Sequence, residues 1–352
     1  MRGLFFAIFI FSGVCLSSEV YGKVLLVDNV THVKGSFTSL QTAIEYAAPG
    51  DTIFVKGSPL SYGNIVIDKR LTILGGRAAR ADGRQYGTRL TRVLFTDNPF
   101  LRTSASGTHL AGFEFQEFLG ERANITTVVK GPQPIQGVVV EGNLIWSVQL
   151  GGNARQWEFR NNIIARWLNG GGWMNEPGSG LKASRFINNI IGEIRDFSAE
   201  NIFENNVIGG QLMRLQQITF QNNIMMHPGP VLVDVGECNF MHNWALADTL
   251  ADHKCYAQPG SFSGFNHCLG LANHARGNQH GSSPGFAEPG AGTIGLHAFE
   301  LRPGVPARTA GVAGQQVGIF GGEYPFPVQA FEFMDVADVV LLWFPSLKRN
   351  LP

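Results

Sequence analysis

The sequence carries no surplus charge of either sign: 27 Lys and Arg residues stand against 27 Asp and Glu. No basic run or stripe breaks that balance, so the electrostatic footprint of a nucleic-acid binder is missing and that class is set aside. Asp-Asp pairs are absent. The 44 glycines do not recur at every third position, which excludes collagen and points to many tight turns. Only four cysteines occur, at positions 15, 238, 255 and 268. Apolar runs are short. "LFFAIFIFSGVCL" follows Arg2 and precedes the small-residue site "VYG", so residues 1–22 read as an export signal and Lys23 as the start of the mature chain. Val14 occupies the place before Cys15 where a lipid-attachment motif has a small residue, which favours soluble export over an anchor. The run "VVLLWF" is too short to span a bilayer and reads as buried packing, leaving no membrane span in the mature chain.

What the chain does contain is a recurring unit: "FRNNIIAR", "FINNIIGE", "FENNVIGG" and "FQNNIMMH". Taking the second Asn as the marker gives Asn143, Asn162, Asn189, Asn206, Asn223 and Asn243, at steps of 19, 27, 17, 17 and 20 residues. Each unit is too short for a helical hairpin, and β-formers flank every Asn, so strand, sharp turn, strand is the parse. Asn suits such a corner because it tolerates left-handed backbone and hydrogen-bonds neighbouring peptides. Stacked repeats would align these Asn residues into a ladder, with Phe and the following Ile or Val pointing into a shared core that no single repeat could bury. Near the start, Leu40, Ala43, Ile44 and Ala47 share one face of a short helix, with Thr38 and Gln41 spaced as a capping box and Pro49-Gly50 ending it. This helix reads as the plug of the first repeat.

With "SLQTAIEYAAPGDTIFVKG" and "GNIVIDKRLTILGG" leading into these repeats, the chain resembles secreted right-handed parallel β-helix proteins of the pectate-lyase-like kind. The fold class implied is all-β, a right-handed parallel β-helix solenoid with a short N-terminal capping helix. It would cover residues 23–322, with an irregular insertion at about 245–283 and a C-terminal tail or cap at 323–352. "SSPGF", "LRPGVPARTAGV" and "QQVGIFGG" are similar to closing segments of such proteins, so the last coils are expected to end there.

The resemblance also implies that sugar polymers lie along the outer face of one sheet. Counting back from each Phe, with Val231, Val233 and Val235 taken as inward, places Asn153, Arg195, Arg214 and Asp234 on the solvent side; a slip of one residue would invert every facing. Trp167 and Trp173 lie in "ARWLNGGGWMNEPGSG", the surplus of the 27-residue step, where they would stack on sugar rings or simply cover the coils. A lyase acting on a uronate polymer needs a base and a positive group for the enolate charge, and Arg195 and Arg214 are the candidates. Family lyases hold calcium with clustered carboxylates, but Asp234 alone is a poor calcium site. Paired hydrolase carboxylates are not found, since alternation puts Asp196 and Asp234 on opposite faces, and the single His-Gly, His280-Gly281, lies outside the clear repeats. The His and Cys residues between 242 and 280 match no zinc spacing; a disulfide between Cys255 and Cys268 ranks first for the exported chain, free thiols second. Cys238 aligns with the buried Ile218. No metal and no cofactor is assigned, calcium entering only with the lyase. Two functions lead: a non-catalytic periplasmic, cell-surface or extracellular protein that binds or organises polysaccharide, and a divergent lyase acting on a uronate-containing glycan by β-elimination; a purely structural scaffold that binds no glycan is the third.

Overall fold

A computed structural model describes residues 22–31, 34–79, 85–99, 102–115, 124–129, 132–151, 153–171, 180–198, 200–226, 232–245, 274–280, 283–287 and 299–327. Strands from successive repeats lie side by side and in parallel. One sheet of eleven strands runs from Val24–Val27 to His274–Arg276 in chain order, and a second of fifteen strands flanks it. Among the described residues only two short strand pairs are antiparallel, one of them joining Ala78 to Tyr86. Leu40–Tyr46 is the one α-helix of the described chain. This all-β architecture of long parallel sheets is consistent with a parallel β-helix.

The helix buries Leu40, Ala43 and Ile44, as its spacing requires. Its cap differs from the expected capping box: Ser39, not Thr38, accepts the Thr42 amide at 3.3 Å. Gln41 instead accepts the Val66 amide at 2.8 Å, tying the helix to a strand edge.

The Phe of each repeat points inward and sits in register with the next, through Phe159, Phe186, Phe203, Phe220 and Phe240. Consecutive rings from Phe159 to Phe240 stack with centroids 5.1, 4.4, 5.0 and 5.1 Å apart. Each such contact adds about 0.5–1.5 kcal/mol beyond the burial of area. After the corner, both residues of each apolar pair are buried. Ile164, Ile191, Ile208 and Met225 join the inner core, whereas Ile163, Ile190, Val207 and Ile224 point outward into a second cluster.

That second cluster is covered by residues 299–327, which add no repeat and lie along the outside instead. Leu301, Val317, Ile319 and Phe326 pack on the outward column. Closing segments in the sequence therefore form a strap rather than last coils. The two-sided burial is why the strands after the corner read as continuous apolar pairs rather than as alternation.

Candidate functional site

The corner itself comes first, because it positions everything else. Asn161, Asn188, Asn205 and Asn222 each adopt a left-handed backbone, with φ of 54°, 53°, 54° and 57°. The next Asn is then turned inward, and the amides of Asn143, Asn162, Asn189, Asn206 and Asn223 each donate to the following Oδ1 at 2.9–3.1 Å. Asn243 extends the ladder to Asn278 at 3.1 Å. Asn278 falls within the stretch read as an irregular insertion; "RGNQH" carries no Phe and so lacks the repeat's strongest mark.

The outer face of the later half of the fifteen-stranded sheet holds the sequence-predicted arginines. The strands Ile163–Asn169, Ile190–Ser198, Leu212–Gln216 and Leu232–Gly236 adjoin there, with Trp167 opposite Glu193 and Asn169 opposite Arg195. Ile194 and Leu212 are fully buried, so their neighbours Glu193, Arg195 and Met213 take the outer side. The Arg195 guanidinium lies 4.4 Å from the centroid of the Trp167 ring and 3.8 Å from a Glu193 oxygen. Cation over aromatic ring is favourable, and more so when water is partly excluded. Burial pushes the Glu193 carboxyl above its ordinary range, with Asp196 adding to the rise and Arg195 and Arg214 opposing it.

One repeat on, Arg214 grips Asp196 with two hydrogen bonds, Nε to Oδ1 at 2.5 Å and Nη2 to Oδ2 at 2.9 Å. Asn169 donates to the same carboxylate at 2.8 Å. Asp196 and Arg214 both adopt φ near 60°, at 60° and 52°, in the middle of strands rather than at corners. Each inserts one residue into the alternation; the neighbouring strands carry the extra residue at the same level, so pairing stays one-to-one while the side chains after it are re-aimed. This corrects the expected facing: Val233 is level with the outward Met213, Val235 with the buried Leu215, and residues 196, 214 and 234 share one level of the sheet. Asp196 and Asp234 thus lie at equivalent backbone positions rather than on opposite faces.

Of the other described sequence candidates, Asn153 is not gathered at this spot. Asn153 lies in a separate three-stranded sheet, opposite Gly180. Asp234 is placed by its backbone alone. Trp173, Cys255 and Cys268 lie outside the described residues. Trp167 is 8 % exposed beneath Arg195, so what it offers to solvent is a guanidinium-covered ring rather than a bare platform. Glu193 was missed although "EIR" held the signal, since an inward Ile194 sends both neighbours outward. Cys238 is fully buried beside the level of Ile218, as alignment of the repeats predicts.

A second polar group sits on the outside of the Phe sheet. Glu141 pairs with His109 Nε2 at 3.0 Å and with Arg160 at 2.9 Å, and Arg160 also reaches Glu158 at 3.0 Å. The hydrogen bond from His109 and the Arg160 pairing outweigh burial and hold the Glu141 carboxyl down to about 2. Nothing in the sequence pattern brings these four together; they meet because parallel register places residues 32 and 19 positions apart side by side.

Among the described residues no three His, Cys, Asp or Glu side chains gather to hold a metal ion. Among the described side chains the carboxylates beside Arg195 do not suit calcium: Asp196 is committed to Arg214 and Asn169, leaving Glu193 alone. No helix of the described residues is long and apolar enough to cross a membrane. Comparison of the chain with protein-family models, curated proteins and solved structures found no match.

Proposed function

We propose that this is an exported right-handed parallel β-helix protein, similar to the pectate-lyase-like kind, that binds an acidic polysaccharide without cleaving it. The observation that carries the reading is the Arg195 guanidinium stacked on Trp167 on the outer side of a parallel sheet. A rigid sheet presents such a group at small entropic cost, and a guanidinium matches a uronate carboxylate in shape and charge. Arg214 supports binding rather than chemistry, since its bidentate pairing with Asp196 stabilises the charged form and removes it as a base. Titration of the mature protein with polyuronates and with neutral glucans tests the reading. Polyuronate binding that Arg195→Gln weakens at least ~10-fold is expected, the loss of one charge-assisted contact being worth about 1.5–3 kcal/mol. Equal binding of neutral polymers, or binding indifferent to Arg195→Gln, would overturn it.

A second reading, a divergent lyase, is favoured by one observation: Glu193, its carboxyl raised by burial, stands 3.8 Å from Arg195. Glu193 would take the proton from the carbon bearing the uronate carboxylate, Arg195 would hold the enolate charge, and the electron pair would form a carbon–carbon double bond as the glycosidic oxygen leaves. Ultraviolet absorbance of that double bond, followed with and without calcium, separates the two. A rise abolished by Glu193→Gln selects the lyase; a flat trace with intact binding selects the binder.

A further inference from the structure

A cleft of about 230 Å³ opens where the outward corner column loses its side chains. The left-handed corner position, held by Asn at 161, 188, 205 and 222, is glycine at 112 and 142. A Cβ at Gly142 would meet nothing within 4 Å. Ala111 adds little bulk, and Pro327 of the strap borders the hollow. Pockets for drug-sized ligands run to about 300–1,000 Å³, so this one suits a single small molecule.

Its polar walls among the described residues are Asn161, Glu141 and Arg77. Asn161 is 7 % exposed, and its Oδ1 accepts no hydrogen bond. The equivalent Asn222 uses that atom to receive the Val312 amide of the strap at 2.8 Å. A buried acceptor left empty is costly unless something else supplies the donor. Glu141 offers a second acceptor: His109 Nε2 and Arg160 Nη2 both meet its Oε2, at 3.0 and 2.9 Å, which leaves Oε1 open. An ammonium at that wall would also face Arg160, whereas a hydroxyl supplies the donor without the repulsion. Arg77 makes the opposite demand. A guanidinium has five N–H donors, so the contacts that Arg77 makes within the fold leave room for a ligand carboxylate.

We infer that the cleft binds a small hydroxylated carboxylate, a sugar acid no larger than a monosaccharide, whose hydroxyls donate to Asn161 Oδ1 and Glu141 Oε1 and whose carboxylate rests on Arg77. Glu141 and Arg160 belong to the eleven-stranded sheet and Arg195 to the other, so this site stands whether or not the Arg195 face binds a polymer. Isothermal titration of the mature protein with glucuronate, glucose and glycine tests this. Saturable single-site binding of glucuronate is expected, with glucose weaker by about 10-fold or more for want of the carboxylate. Gly142→Asn, which places at this corner the side chain that later coils carry, should abolish glucuronate binding. Arg77→Gln, at an exposed position, should weaken it by a factor similar to the loss of the carboxylate, and Arg195→Gln should leave it unchanged. Thermal melts check that each variant is folded. No saturable binding of glucuronate, equal binding of glucose or glycine, indifference to Gly142→Asn and Arg77→Gln in folded protein, or loss in Arg195→Gln would each overturn the inference.

Discussion

Asn188 and Asn189 are neighbours in the chain and serve opposite sides of the sheet wall. Asn188 takes the left-handed corner and donates outward to two strap carbonyls, at 2.8 and 2.7 Å. Asn189 turns inward and donates to the next Oδ1 at 3.1 Å and to the Phe159 carbonyl at 2.9 Å. One dipeptide thus links repeat to repeat and repeat to strap.

The ladder position is the costlier of the two to lose. Asn206 donates to Asn223 and the Phe186 carbonyl and accepts from the Asn189 backbone amide, all inside the core. Asn206→Ala strands those groups and is expected to cost about 2–4 kcal/mol. Asn205, whose side-chain amide has no hydrogen-bond partner and whose φ is 54°, should tolerate Gly at about 1 kcal/mol or less. Urea denaturation of both variants checks the order; equal costs would show that the two positions are not divided in this way.

Strap seating depends on glycine at closest approach. A Cβ on Gly322, at φ 73°, would stand within bonding range of the Asn205 amide, and one on Gly318, at φ 80°, would lie 2.6 Å from Ile224 Cδ1. Gly322→Ala should weaken the strap by about 1–3 kcal/mol while leaving the Phe stack folded. Hydrogen exchange resolves this: faster exchange at the Phe326 amide, which donates to Ile319, with unchanged exchange at the Thr219 amide inside the sheet.

Acid sensitivity should trace in part to Glu141. Its carboxyl falls from an ordinary 4.5 to about 2 in the fold. A group depressed on folding stabilises above its unfolded value and loses that contribution as pH falls through the folded one, here between about 4.5 and 2. Its side chain is 30 % exposed, so solvent screening leaves about 1–2 kcal/mol rather than the full amount. Glu141→Gln should flatten the stability profile across that window. A profile parallel to the parent would remove Glu141 from the account.

Cys238 should be chemically silent while the chain is folded. Burial pushes its thiol up to about 12, leaving almost no thiolate at neutral pH. Peptide-level mass spectrometry after iodoacetamide treatment should find Cys238 unmodified in buffer and alkylated in denaturant; rapid labelling in buffer would contradict its burial.

Asp196 should matter to stability before it matters to binding. Its carboxylate satisfies Arg214 twice and Asn169 once, and it is almost fully buried. Asp196→Ala is expected to cost about 2–4 kcal/mol by removing the buried carboxylate that Arg214 and Asn169 share, whereas Arg195→Gln should leave the melting point nearly unchanged. Parallel thermal melts of the two variants settle which arginine is structural.

How much was legible beforehand depends on the range of each interaction. Phe203, Asn206 and Ile208 announce their roles because each repeats its own environment in every stacked copy, so the pattern appears several times over in the sequence. The N-terminal helix was legible from Leu40, Ala43 and Ile44, though its cap was not, because Thr38 and Ser39 are equally capable and only backbone geometry chooses. Facing at Arg195 was legible, but beyond it, from Asp196 and Arg214 to the level of Val233, it was not. Alternation fails when a residue is inserted in left-handed conformation; Arg214 is not a residue type that advertises it, and Asp196, though of a type that tolerates it, stands in mid-strand with no turn signal beside it.

By itself the sequence determined the repeat, the identity of the ladder and the inward aromatic column, because these are periodic and their physical demand is local to each corner. Tertiary structure alone decided that Arg195 covers Trp167, that Arg214 is held by Asp196, and that residues 299–327 turn back to cover Ile163, Ile190, Val207 and Ile224. Strap and repeats meet across long stretches of chain, Asn188 and Gly321 being 133 positions apart. No periodicity records these contacts, since each is made once, where the register of stacked strands brings two unrelated stretches of chain to the same place.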